Sequence, residues 1–193
     1  MDDRVRMREV RVLSDDTYVL RRNTFDFRRR DGRWQTLVRE TYDRGDGAAI
    51  LLWEPRKRTV LLVRQFRFPA YAAGHKDDLV EVPAGMLDAR SPEEAIRREA
   101  EEEAGIRVTA PRRLFEAFMS PGSVTERITF FMAEYSAADR IGAGGGLEEE
   151  GEDISLLEVP LEEAMAMIRH GEIVDAKTIM LLQYARLHEL GAA

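Results

Sequence analysis

The chain has 193 residues, of which 44% are hydrophobic and 34% charged, a composition typical of a globular protein with a sizeable core. Its formal net charge of −7 gives it no overall attraction for nucleic acid or for an anionic membrane. The absence of cysteine excludes disulfides, a thiol nucleophile and cysteine-ligated zinc. No apolar run approaches the roughly 20 residues of a membrane-spanning helix, and the first residues lack a signal-peptide pattern. We therefore expect a cytoplasmic protein that binds neither nucleic acid nor a membrane.

The first part of the chain is predicted to form antiparallel strands. Segments of strand character lie at residues 9–12, 17–20, 24–28 and 34–42. Asp31-Gly32 predicts a hairpin turn, and Gly45-Asp46-Gly47 is a break. We accordingly divide the chain into an N-terminal β segment, residues 1–44, and a second domain, residues 45–193. Because the first segment has little apolar content for a core of its own, we expect it to pair with a second subunit in a homodimer.

Strands and helices are mixed after the break. Strands are predicted at residues 48–53, 59–66, 78–82, 114–119, 129–135 and 154–159, and helices at 92–104, 161–168 and 176–190. Ser91, Pro92 and Glu94 form a capping-box pattern at one helix start, and Gly105 marks its end. A flexible loop is predicted at residues 142–146, followed by an acidic stretch at 148–153. This mixture predicts an α+β fold, arranged as an α/β/α sandwich.

The helix at residues 92–104 concentrates carboxylates. At about 100° per residue, Glu99, Glu102 and Glu103 share one face, whereas Glu101 points away toward solvent. Like charges at this spacing repel each other, and clustering them in a partly buried site costs more unless a cation lies between them. Oxygen ligands on a rigid helix suit Mg²⁺ or Mn²⁺. The alternative is an acidic helix face that is simply solvated.

Residues 85–106 resemble the Nudix box, Gly-x5-Glu-x7-Arg-Glu-U-x-Glu-Glu-x-Gly-U. Six positions of its second half match: Arg98, Glu99, Glu102, Glu103, Gly105 and Ile106. The first half departs from the pattern, because one residue fewer separates Gly85 from Arg98. The earlier Glu of the box falls on Ser91 or Arg90 and is therefore absent.

Further stretches are similar to the nucleotide-sugar branch of the Nudix family. The chain as a whole resembles the bacterial GDP-mannose pyrophosphatases of that branch. The matching stretches include Val63-Arg64-Gln65-Phe66-Arg67, Glu81-Val82-Pro83-Ala84-Gly85, Arg39-Glu40-x-Tyr42-Asp43-Arg44-Gly45, Ser120-Pro121-Gly122-x-Val124-Thr125-Glu126, Ala143-Gly144-Gly145-Gly146 and Asp175-x-Lys177-Thr178. The resemblance implies the Nudix α/β/α sandwich with an N-terminal β extension that pairs with a partner subunit. It implies Mg²⁺-dependent hydrolysis of a nucleotide sugar, GDP-mannose giving GMP and mannose 1-phosphate. An ADP-ribose pyrophosphatase is the alternative activity. A hypothesis from a different functional class is a catalytically inactive ligand sensor of the same fold.

The resemblance also implies a metal site and a catalytic group. The backbone carbonyl of Ala84 and the carboxylates of Glu99 and Glu103 would hold Mg²⁺, with Mn²⁺ as an alternative. Glu102 would be a further ligand or the base that orients water, and Arg98 would pair with the glutamates. In the acidic loop Glu152 is the preferred additional ligand or general base. Glu149 is its rival.

The substrate contacts implied by the resemblance are spread along the chain. They are Arg39, Glu40, Arg67, Ala84, Gly85, Met86, Glu103, Glu126 and Lys177. Arg67 would reach the diphosphate, Glu126 sugar or base hydroxyls, and Lys177 a phosphate or the sugar. Arg39 and Glu40 would complete the site of the other subunit. For each, a surface charge without a substrate role is the alternative.

Overall fold

The fold is described from a computed structural model that covers residues 4–189. The chain divides into two compact units. One comprises the residues through Asp46 together with Phe118–Arg127, and the other comprises Gly47–Ala117 and the residues from Ile128 onward. Each unit is described by itself below.

The first unit is built on a three-stranded antiparallel sheet. Its strands, in spatial order, are β1 (Val5–Asp15), β2 (Val19–Arg28) and β3 (Trp34–Asp43). The strands predicted at residues 17–20 and 24–28 belong to one continuous strand. The predicted turn at Asp31-Gly32 is confirmed, since Gly32 N–H donates to the Arg29 carbonyl at 3.0 Å. All of β1 is exposed, including its apolar side chains.

The second unit holds a seven-stranded mixed sheet. Its strands are β4 (Gly47–Glu54), β5 (Thr59–Gln65), β6 (Leu79–Glu81), β7 (Ala84–Met86), β8 (Arg112–Phe118), β9 (Arg127–Glu134) and β10 (Ser155–Pro160). The main order is β10-β5-β4-β9-β8, with β6 paired to β5 and β7 paired to β4. The β4–β9 pair is parallel, whereas β10–β5, β4–β5, β4–β7 and β5–β6 are antiparallel.

Helices cover this sheet. They are α1 (Phe68–Ala72), α2 (Pro92–Glu102), α3 (Leu161–His170) and α4 (Ala176–Tyr184), which continues as a π-helical turn, Ala185–Glu189. The predicted helix end at Leu190 lies outside the described residues. No helix in residues 4–189 has the length and apolar content that a membrane crossing requires.

The core lies on both sides of β4, which is buried along its whole length. Ile50 and Leu52 pack in one cluster with Ile96 and Ala100 of α2. On the sheet α4 contacts β4 and β6, and α3 contacts β5 and β10. The expected α+β class is confirmed. The burial of a central strand between helices is the arrangement predicted for a sandwich.

The prediction for residues 66–86 was incomplete in two respects. The strand predicted at residues 78–82 is observed as Leu79–Glu81, which pairs with β5, and a second short strand, β7, follows and pairs with β4. Pro83 explains the interruption, because it has no N–H for a ladder; its carbonyl instead accepts from Ile50 N–H at 3.0 Å. The helix α1 was not predicted, and it begins at a Phe-Pro pair immediately after Arg67.

Candidate active site

The start of α2 is fixed by its capping box. The Ser91 hydroxyl accepts from Glu94 N–H at 3.3 Å, and Ser91 N–H donates to the Glu94 carboxylate at 3.0 Å. These bonds satisfy backbone donors that a helix start leaves without partners. Ser91 therefore defines the helix start, and it is one of the two positions, with Arg90, on which the earlier Glu of the Nudix pattern would fall.

Glu103, at the end of α2, is the most deeply buried carboxylate of the site. It is 1% exposed and accepts from the Ala84 N–H at 3.1 Å. Burial raises its pKa to about 8, and the neighbouring charges of Glu99 and Glu152 act in the same direction. The Ala84 hydrogen bond and Arg67 oppose the shift. The protonated form is therefore favoured at neutral pH unless a cation is present.

The other glutamates of α2 are arranged as the helical periodicity predicts. The Glu99 carboxylate lies directly against Gly85, where an added Cβ would overlap it. Arg98 Nε donates to Glu102 Oε1 at 2.7 Å. Glu101 is exposed, which confirms that it points away from the other three. Gly85 thus permits close approach of strand β7 to a carboxylate of α2.

The acidic loop brings Glu152 toward this helix end. Its Oε2 accepts from Leu147 N–H at 2.9 Å, and its charge acts on Glu103. Gly146 has a φ of 77°, and a Cβ there would overlap the Glu152 carboxylate. Glu149 is exposed on a 3-10 turn, Glu148–Glu150. Of the two loop candidates, Glu152 is therefore the one that acts electrostatically on the buried glutamate.

The donor set of this cluster suits a divalent cation, although its side chains are not gathered around one point. Within the described part of the chain, no three His, Asp or Glu residues are assembled as a metal-binding group. Glu103, Glu102 and Glu152 instead bond to Ala84 N–H, Arg98 and Leu147 N–H, respectively. A buried carboxylate whose pKa is raised partly by two neighbouring carboxylates has the chemistry of an oxygen-only cation site. The chemistry of these residues therefore fits a hard divalent ion.

Arg67 lies in a second, partly buried group of charges. Its Nη2 donates to Glu81 Oε2 at 2.8 Å and its Nε to the same oxygen at 3.2 Å. Burial lowers the pKa of Arg67, but the bond to Glu81 and the charges of Glu81, Glu103 and Asp175 outweigh it, so that the pKa is raised. Arg67 is therefore held as a cation close to the acidic cluster.

Lys177 is paired in the same way at the start of α4. Its Nζ lies 2.6 Å from Asp175 Oδ1. The other oxygen, Oδ2, accepts from Thr178 N–H at 2.9 Å and from its hydroxyl at 2.8 Å. The Thr178 hydroxyl in turn accepts from Val82 N–H at 2.8 Å. These bonds connect Lys177 with the segment that leads into Ala84.

The remaining predicted substrate residues occupy different places. Met86 is in β7, opposite Gly47 in the sheet. Arg39, Glu40 and Glu126 belong to the first unit. Arg39 and Glu40 are exposed on β3, whereas the Glu126 side chain is 12% exposed and pairs with Arg44 at 3.2 Å.

Three residues of the site were part of the matching stretches but were assigned no role of their own: Glu81, Asp175 and Thr178. Glu81 could have been found from its setting, because it stands between Val80 and Val82 in an apolar segment. A charge in such a segment is buried and needs a partner. The identity of that partner depends on the tertiary fold.

Comparison with known proteins places this geometry in a family. Residues 43–182 match the model described as the NUDIX domain. The chain belongs to the Nudix family. Residues 4–42 match a second model, the GDP-mannose pyrophosphatase NudK N-terminal domain. Nudix hydrolases generally use divalent metal ions.

Relatives within the Nudix family are similar over almost the whole chain. A GDP-mannose pyrophosphatase of Pectobacterium atrosepticum is 52% identical over 92% of this chain and 91% of its own. A GDP-mannose pyrophosphatase of Citrobacter koseri is 49% identical over 95% of this chain and 96% of its own. A GDP-mannose pyrophosphatase of Escherichia coli is 47% identical over 98% of this chain and 99% of its own. A solved structure described as an ADP compounds hydrolase has a TM-score of 0.71 at 17% identity, covering 95% of this chain and 93% of that one, and shares the fold.

Proposed function

We propose that this chain is a nucleotide-sugar pyrophosphatase that converts GDP-mannose into GMP and mannose 1-phosphate with Mg²⁺, or alternatively Mn²⁺. The observation that carries the proposal is the buried Glu103, with Glu99 and Glu152 acting on it. Relatives named GDP-mannose pyrophosphatase, which are similar along 92–98% of this chain, support this substrate. The retained carboxylates argue against an inactive ligand sensor.

The proposed metal ligands are Ala84, Glu99, Glu102, Glu103 and Glu152. A bound divalent ion would neutralise part of the diphosphate charge and lower the pKa of water. The contribution of Arg98 is to hold the Glu102 carboxylate in place through the 2.7 Å bond. Gly85 allows the Glu99 carboxylate to lie against the backbone of β7.

We assign proton transfer to Glu152, with Glu102 as the alternative base. The base accepts a proton from water as the water oxygen bonds to one phosphorus atom. The bond from that phosphorus to the bridging oxygen breaks, and the bridging oxygen leaves with the second phosphate group. An anionic carboxylate suits this task because it accepts the proton directly.

Cationic side chains suit the diphosphate. Arg67 and Lys177 are the proposed contacts, since charge-assisted hydrogen bonds to phosphate are among the strong ones. The backbone at Ala84, Gly85 and Met86 and the Glu103 side chain would also lie beside the substrate. We further propose that Glu126 accepts from sugar or base hydroxyls, and that Arg39 and Glu40 serve the site of a partner subunit.

A side-by-side assay with GDP-mannose and ADP-ribose tests the substrate. Groups built to hydrogen-bond one base lose about 1–3 kcal/mol each when the wrong base leaves them without partners. We therefore expect kcat/KM for GDP-mannose to exceed that for ADP-ribose by at least about tenfold with Mg²⁺. A chelator should abolish turnover. Equal or reversed preference would assign the chain to the ADP-ribose enzymes, and absence of products from any nucleotide sugar would refute the function.

The division at residue 44 and the dimer are part of the same proposal. Exposed apolar side chains on β1, such as Val10 and Val12, support pairing of the N-terminal segment with a second subunit. Light scattering should then give twice the 22.1 kDa of one chain at micromolar concentration. A monomer would contradict this.

We also propose a cytoplasmic location without nucleic-acid or membrane partners, which cell fractionation would test.

A further inference from the structure

The charge pair of Glu81 and Arg67 is unequal in its burial. The Glu81 side chain is 3% exposed, whereas that of Arg67 is 39% exposed. Both Nε and Nη2 of Arg67 donate to Glu81 Oε2, and Gln65 Nε2 donates to the same oxygen at 3.4 Å. The carboxylate is thus enclosed, while the guanidinium forms the boundary between the interior and the surface.

Stability alone is a weak explanation of this pair. A buried carboxylate is costly to desolvate, and apolar replacement of a buried ion pair is often neutral or stabilising. Glu81 also follows Leu79 and Val80, where an apolar side chain would continue the pattern. The pair therefore calls for an explanation in terms of what Glu81 does for the partly exposed Arg67.

The hydrogen bonds determine the orientation of the guanidinium. An arginine has five N–H donors in a planar fork, and Glu81 engages the Nε and Nη2 side of it. Within residues 4–189 the donors on Nη1 have no hydrogen-bond acceptor, so they remain for another group. The backbone of Arg67 is fixed as well, because its carbonyl accepts from Tyr71 N–H at 3.0 Å at the start of α1.

We propose that Glu81 is a positioning residue, whose buried carboxylate holds the Arg67 guanidinium in the orientation in which it binds the substrate diphosphate. The inference rests on the proposed function, in which Arg67 contacts that diphosphate. Glu81 itself is too deeply buried to touch substrate. Its effect on turnover therefore passes through Arg67.

A Glu81→Gln variant separates positioning from simple charge compensation. The amide keeps the length of the side chain but removes the charge that holds both donors. Positioning predicts that kcat falls and KM rises, with kcat/KM reduced by roughly 10- to 100-fold. Mere compensation predicts the opposite for KM, because an Arg67 freed from its counter-charge would attract the diphosphate more strongly. A lower KM with unchanged kcat would overturn the proposal.

A double-mutant cycle tests whether Glu81 acts through Arg67. We expect Arg67→Gln to reduce kcat/KM at least as much as Glu81→Gln does. Adding Glu81→Gln to it should change kcat/KM by no more than about twofold. Full additivity would overturn the proposal. Glu158→Gln is the matched control. Glu158 pairs with Arg140 at 2.7 Å and also accepts from Lys57 and Thr59, none of which is a proposed site residue. The kinetics of this variant should equal those of the wild type.

Two further measurements keep the inference testable. If Glu81→Gln does not fold, Arg67→Lys retains the charge without the planar fork, and positioning predicts a similar loss of kcat, whereas unchanged kcat would overturn the proposal. The Arg67 Nε–H signal in NMR should exchange slowly with water in the wild type and rapidly in Glu81→Gln. Fast exchange in the wild type would contradict the holding role whatever the activity. A different pair of results separates the two proposals. If the wild type hydrolyses no nucleotide sugar although its Arg67 Nε–H exchanges slowly, the proposed function is refuted, and the contact of Arg67 with a diphosphate is refuted with it.

Discussion

Replacing Glu103 with Gln tests whether this buried carboxylate belongs to a cation site. The substitution keeps the size of the side chain and an oxygen for the Ala84 N–H, but it removes the charge. Because Glu103 is 1% exposed and burial raises its pKa to about 8, its ionised form destabilises the folded chain when no cation is bound. We therefore expect the variant to lose activity and to gain stability in metal-free buffer.

The size of the stability effect follows from the pKa difference between the folded and unfolded chain. The pKa of Glu103 is about 8 when folded, against an ordinary value of 4.5. Each unit corresponds to about 1.36 kcal/mol, so the whole difference is on the order of 3–5 kcal/mol. As pH rises, the Glu103 carboxyl loses its proton in the unfolded chain first, because its pKa is lower there. The stability associated with protonated Glu103 is therefore fully present below about pH 4.5 and is lost as pH rises through about 8.

Denaturant titrations in a chelating buffer at pH 5 and pH 8.5 measure this effect. The free energy of unfolding should fall with pH more steeply in the wild type than in Glu103→Gln, and the gap should approach several kcal/mol at the higher pH. Glu101→Gln is the matched control, because Glu101 is an exposed glutamate of the same helix. Added Mg²⁺ should stabilise the wild type more than Glu103→Gln, since the ion replaces the proton.

Activity is the second measurement on the same proteins. Loss of a ligand charge should reduce turnover by roughly 10²-fold or more, whereas Glu101→Gln should retain it. Full turnover of Glu103→Gln at saturating Mg²⁺ would refute the role of Glu103 as a ligand. A stability difference that does not change between pH 5 and pH 8.5 would refute the electrostatic reasoning independently of the chemistry.

Three further substitutions test how the site is built. Gly85→Ala places a Cβ against the Glu99 carboxylate, so it should destabilise the fold by about 1–3 kcal/mol and lower kcat/KM at least tenfold, as measured by denaturation and kinetics. Thr178→Val removes the acceptor of the Val82 N–H and should cost about 1–3 kcal/mol in the free energy of unfolding, whereas Thr178→Ser should restore it. Ala89 has a φ of 66°, so Ala89→Gly should raise the free energy of unfolding by up to about 1 kcal/mol, and a loss of stability would contradict the strain.

The helix α2 could be predicted from the sequence because its signals are local. The Ser91 cap, the first-turn Glu94 and the left-handed Gly105 lie within the helix or at its ends. The shared face of its carboxylates also follows from helical geometry alone. Its end was predicted slightly late, since the helix stops at Glu102 rather than at residue 104.

The extents of individual strands were harder to predict, because they depend on pairing between distant segments. The first strand, β1, extends well beyond the predicted residues 9–12, since its partner β2 supports it along its length. The interruption at Pro83 and the return as β7 require the neighbouring β4. Nothing in the local pattern specifies those partners.

Electrostatic partners were the least predictable part of the site. Glu81 and Arg67 are separated by 14 positions, and Thr178 and Val82 by 96, so their hydrogen bonds exist only once the sheet and α4 have assembled. A sequence shows that a charge in an apolar strand needs a partner, and the fold determines which one. This is why the predicted list contained the partly exposed Arg67 but omitted the residue that holds it.

The glycine-rich loop shows how one pattern can serve a different purpose from the expected one. Residues 142–146 were predicted to be a flexible loop, yet Gly145 N–H donates to the Glu103 carbonyl and Gly146 N–H to the Glu102 carbonyl, at 3.0 and 3.1 Å. These carbonyls are among the acceptors that a helix end leaves without partners. A Cβ on Gly144 would overlap the Glu103 backbone, so only glycine allows this approach. The loop therefore satisfies the end of α2, and the same contact delivers Glu152 toward the glutamates of that helix.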